Sequence, residues 1–98
     1  MELSSLKENN YWIIKIHGDL DASSAVSLDN EISALIESNE KHILIDCEDL
    51  NYIASAGLGV FMSYLQDLAD KEIIMQLFSL NEKVLEVFNI LGLAELIN

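Results

Sequence analysis

His42-Ile43-Leu44-Ile45-Asp46-Cys47, then Glu48-Asp49-Leu50-Asn51-Tyr52, then Ile53-Ala54-Ser55-Ala56-Gly57-Leu58-Gly59-Val60-Phe61 is the stretch on which the fold turns. Its opening run is apolar and short, which suits a buried strand. Beyond the turn the period changes: Leu58, Phe61, Leu65 and Leu68 step by three and four, predicting a helix from about Ser55 or Ala56 to Ala69, with Ser55 at its cap. Ile73-Ile74-Met75-Gln76-Leu77 then reads as another strand. A strand that passes through a helix into a second strand brings the two strands parallel and lays the helix on the sheet.

The flanks extend this pattern. Upstream, Ala25, Leu28, Ile32, Leu35 and Ile36 mark an amphipathic helix from Ala22 to near Ser38-Asn39. Before it, Tyr11 to His17 is aromatic and β-branched and ends at Gly18, while Asn9-Asn10 joins it to a short strand around Leu3 to Lys7, an antiparallel hairpin. Downstream, Val84, Val87, Phe88 and Leu91 predict a third helix opening near Asn81, with Gly92 as its stop and a last turn over Leu93 to Ile97. The expected fold is α/β in the order ββαβαβα, a mixed sheet with helices packed on it. No proline, glycine-rich linker or repeat interrupts the 98 residues, so residues 1–98 read as a single domain.

Composition narrows the function. The net charge is −12, and the cations are five lysines with no arginine. Such a surface repels a phosphate backbone or an anionic bilayer and offers no guanidinium fork to a bound phosphate, so no nucleic acid and no membrane insertion are expected. The N-terminus shows no signal-like apolar run, and Cys47 has no thiol partner, which together point to the cytoplasm, with Cys47 as a small buried hydrophobe.

The candidate chemistry is sparse. His17 and His42 lie in separate expected strands and Cys47 has no ligand-spaced companion, so no metal site is expected. A hydrolase assembled from Ser55, His17 and Asp21 lacks the upstream glycine of a nucleophile elbow, and no catalytic residue is assigned. Gly57-Leu58-Gly59 lacks the third glycine of a dinucleotide loop, with Met62 in that place; its glycines serve either close packing on the sheet or close approach by a partner. Around Ser55, Ala54, Ala56, Gly57 and Gly59 strip the turn of bulk, leaving a hydroxyl and helix N–H groups open to another protein. A phosphate there would sit where a helix start favours an anion and would place charge in a contact surface.

Gly18-Asp19-Leu20-Asp21 after a strand, with Asp46-x-x-x-Leu50-x-x-Ile53-x-Ser55-x-Gly57-Leu58-Gly59-Val60, resembles the STAS domain of bacterial anti-sigma factor antagonists. The resemblance implies a partner, an anti-sigma factor with serine kinase activity, whose sequestration releases a sigma factor. It implies phosphorylation of Ser55 by that kinase, reversal by a metal-dependent serine phosphatase, and a contact surface of Asp21, Ala54, Ser55, Ala56, Gly57, Leu58 and Gly59. The kinase would bring the nucleotide, so no cofactor is expected in this chain. The family usually has an acid before the serine and a hydroxyl residue after it, where this chain has Ala54 and Ala56. The alternatives are a STAS scaffold or lipid-transporter accessory subunit that is never phosphorylated, favoured by Ala54, and the small hydrolase on Ser55.

Overall fold

Asn9 adopts a left-handed conformation (φ 55°), which asparagine tolerates, and closes the tight turn of the N-terminal hairpin. The computed structural model, which describes residues 2–97, places β1 over Glu2–Glu8 and β2 over Tyr11–Leu20, antiparallel from Glu2 opposite His17 to Glu8 opposite Tyr11. There follow α1 (Ala22–Glu37), β3 (His42–Asp46), β4 (Leu50–Ile53), α2 (Ser55–Asp70), β5 (Ile74–Phe78), α3 (Glu82–Ile90) and a 3₁₀ turn at Ala94–Leu96. The sheet runs β1-β2-β3-β5, with β3 parallel to both its neighbours. It is the expected mixed α/β architecture.

One strand is added to the expected order. The sequence reads Leu50-Asn51-Tyr52 as a connection and ends β2 at Gly18. In the structure β2 continues to Leu20, and β4 pairs parallel with this extension, Gly18 opposite Leu50 and Leu20 opposite Ile53, across a register shift at Gly18/Asp19. Gly18, at φ 91°, supplies the conformation that lets the strand bend there and go on. Only the ends of β4, Leu50 and Ile53, are buried, so it carries neither a continuous apolar run nor an alternation.

Ile14, Ile16 and Leu20 of β2, Ile43 and Ile45 of β3, and Met75 and Leu77 of β5 form the inner sheet face, covered by Leu28, Ile32, Phe61 and Phe88 from the helices. Cys47 is buried beside this core at 1% exposure. The opposite face carries Ser4 and Leu6 of β1 and Ile13, Lys15 and His17 of β2, and is more open. Since β2, β3, β4 and β5 are parallel, their C-terminal ends share one edge of the sheet, and all three α-helices begin just beyond it: α1 after Leu20, α2 after Ile53, α3 after Phe78.

Candidate functional site

A helix start exposes N–H groups without intrahelical partners, and the three starts at this edge meet that need differently. At α1, Asp21 and Ser24 form a capping box: Ser24 N donates to Asp21 Oδ1 (3.0 Å) and Asp21 N to Ser24 Oγ (2.8 Å), while Ser23 Oγ adds a bond to Oδ1 (3.0 Å). These bonds, the Ser24 backbone N–H first, then the Ser24 and Ser23 hydroxyls, hold the Asp21 carboxyl down at about 2. At α3, Asn81 Oδ1 accepts from Val84 N (2.9 Å), and its Nδ2 donates to the carbonyls of Leu50 (3.1 Å) and Asn51 (3.3 Å), tying α3 to β4.

The start of α2 has no side-chain cap. Ala54, not Ser55, is the N-cap residue, extended at φ −84° and ψ 167°, and Ser55 is the first helical residue. Ala54 N donates to Leu20 O (2.9 Å), which pins the turn to the end of β2, and the first helical bond runs from Leu58 N to Ala54 O (3.1 Å). The N–H groups of Ser55, Ala56 and Gly57 precede that bond. Ser55 at the first position is a correction of its expected capping role: its hydroxyl caps nothing and stands on the surface.

The remaining residues of the turn divide by direction. Ser55, Ala56 and Gly59 are exposed and Ala54 is half-buried, whereas Gly57 and Leu58 point inward. A Cβ on Gly57 would lie 2.7 Å from Leu20 Cδ2, 2.8 Å from Leu20 Cγ and 3.0 Å from Ile53 Cγ1, so this glycine lets α2 approach the paired ends of β2 and β4. Gly59 would meet nothing within 4 Å, and close packing does not explain it. Because Leu20 pairs with Ile53, the residues that follow, Asp21 and Ala54, start neighbouring helices side by side. Tyr52, 59% exposed just before the turn, is a surface residue the sequence reading did not single out.

The trio Ser55, His17 and Asp21 is not joined by hydrogen bonds. His17 engages Ser4 and Asp49 instead, and Asp21 is taken up in the α1 cap. Among the described residues no group of three or more His, Cys, Asp or Glu side chains is placed to hold a metal ion, and no helix is long and apolar enough to cross a membrane.

A model of the STAS domain family matches residues 4–98. The chain belongs to the STAS domain family. It is 20% identical to the anti-sigma-B factor antagonist of Staphylococcus aureus over 98 residues, covering all of this chain and 91% of that protein. BtrV of Bordetella bronchiseptica, assigned as an anti-sigma factor antagonist, is 30% identical over 92 residues, 94% of this chain and 79% of BtrV. The phosphorylated form of the Bacillus cell fate determinant SpoIIAA shares the fold, with a TM-score of 0.82 and 19% identity over 99% of this chain and 89% of that one.

Proposed function

We propose that this STAS domain is an anti-sigma factor antagonist, a binding module whose contact surface is the start of α2. Its partner is an anti-sigma factor with serine kinase activity, which phosphorylates Ser55 and so ends the complex; a serine phosphatase restores the free hydroxyl, in the cytoplasm. The observation that carries this reading is the uncapped α2 start, where an exposed Ser55 hydroxyl stands beside unpartnered N–H groups while both neighbouring helices are capped by their own side chains. The names of the S. aureus and B. bronchiseptica relatives support it. A phosphate on Ser55 would carry about −1.5 to −2 charge, stabilised by the helix start, and would put bulk and repulsion into a surface otherwise made of Ala56, Gly59 and Tyr52.

The test is to incubate the protein with a cognate anti-sigma kinase and ATP and to measure intact mass. One added phosphoryl group, absent in Ser55→Ala, is the expected result; no gain, or a gain that persists in Ser55→Ala, removes the assignment. A second reading is favoured by Ala54. No carboxylate stands at the α2 cap to help a kinase orient the hydroxyl, so the same surface could serve a scaffold or transporter accessory subunit that is never phosphorylated. Stable co-purification with a transporter ATPase, with Ser55 unmodified, would select it.

A further inference from the structure

On the open face of the sheet, on the side of β2 opposite the core residues Ile14 and Ile16, three side chains form a connected relay. Ser4 Oγ lies 3.1 Å from His17 Nε2, and His17 Nδ1 lies 3.1 Å from Asp49 Oδ2. A carboxylate can only accept, so the bond to Asp49 places the imidazole proton on Nδ1; the neutral ring then has its lone pair on Nε2, facing the Ser4 hydroxyl. A nucleophile, a base and a group that orients the base thus stand in the order and at the distances that activate a serine. The fold places two of them on strands and pins the third: Ser4 and His17 lie on adjacent, antiparallel β1 and β2, and Asp49 comes from the β3–β4 connection, where its own carbonyl accepts from Gly18 N (2.9 Å).

A cation completes the cluster. Lys15 is the direct cross-strand partner of Ser4, so their side chains leave the same face at adjacent positions. Its Nζ lies 3.6 Å from Asp49 Oδ2 and 3.9 Å from Asp46 Oδ2, which tethers it beside the relay.

We propose that Ser4 is a nucleophilic serine, activated by His17 and Asp49, that accepts acyl or phosphoryl groups from small activated donors. The open sheet face encloses no substrate, so the donors are small molecules with a good leaving group rather than peptides. In the reaction with a fluorophosphate diester, Ser4 Oγ forms a bond to phosphorus, the P–F bond breaks, fluoride leaves, and the hydroxyl proton passes to His17 Nε2. No oxidant or further reactant is needed.

Diisopropyl fluorophosphate is the probe. Treatment of the folded protein, followed by intact mass and peptide mapping, is expected to show one adduct on Ser4, absent in Ser4→Ala. His17→Gln should slow labelling about 10²-fold or more, the usual contribution of a positioned base, and Ser5→Ala, on the same strand but directed to the other side, should leave the rate unchanged. These positions are on the surface and circular dichroism reports whether the variants stay folded. No adduct at Ser4, an adduct at Ser55 instead, or a Ser4 rate unaltered by His17→Gln overturns the proposal.

Discussion

Gly57 and Gly59 lie in one turn of α2, yet the structure sets opposite demands on them. At Gly57 an added methyl would overlap Leu20 and Ile53, buried side chains that can yield little. Overpacking of this kind costs about 1–3 kcal/mol, which outweighs the roughly 1 kcal/mol that alanine gains over glycine in a helix. Gly57→Ala should therefore lower the melting temperature. Gly59→Ala meets empty space and keeps the propensity gain, so it should raise the melting temperature by about 4–8 °C, the shift that ~1 kcal/mol produces in a domain of this size. Calorimetry on the pair checks both signs. If the turn is the contact surface, Gly59→Ala should also weaken partner binding while stabilising the fold, a combination that a purely structural glycine would not show. On the proposed function, Ser55→Asp should weaken binding of the anti-sigma kinase and leave circular dichroism unchanged, because a carboxylate at a helix start is tolerated by the fold.

At the level of elements, the α1 cap should make stability depend on acid. The Asp21 carboxyl titrates at about 2 in the folded protein against an ordinary 3.8, because Ser24 and Ser23 donate to its charged form. Between those values the unfolded chain binds the proton more readily, so the cap's contribution is present above about 3.8 and is lost as the pH falls through about 2. The gap in melting temperature between the wild type and Asp21→Ala should accordingly close over that window, with the variant less stable at neutral pH. The same elements show what the chain discloses by itself. Helices α1, α2 and α3 were legible because their apolar residues recur at three and four, and Asn81 and Gly92 bracket α3 by ordinary cap chemistry. Strand β4 was not, because its pairing partner is the extension of β2 past Gly18, a long-range bond that leaves no local pattern. For the same reason Asn81 was readable as a cap but not as the amide that holds β4, and Ser55 was placed one position early on the helix, where a serine is usually found.

For the whole molecule, Cys47 offers a report on cooperativity. Burial, with a further contribution from the charge of Asp46, pushes its thiol up to about 12, and the side chain is 1% exposed. Reaction with a thiol reagent therefore requires the core to open. Labelling should be negligible in native buffer and should rise with denaturant along the same curve as the loss of circular dichroism; fast labelling in native conditions would mean that the β3 end of the sheet opens independently. Meanwhile the arrangement of the three helix starts bears on turnover. With a net charge of −12, an added phosphate should be unwelcome on most of this surface, but the open start of α2 is a small positive pole at which it can be carried without loosening the fold. If Ser55 is the phosphoacceptor, as proposed, a modified and an unmodified copy would resist proteolysis alike and persist equally long, so the pool could be converted back and forth many times without new synthesis.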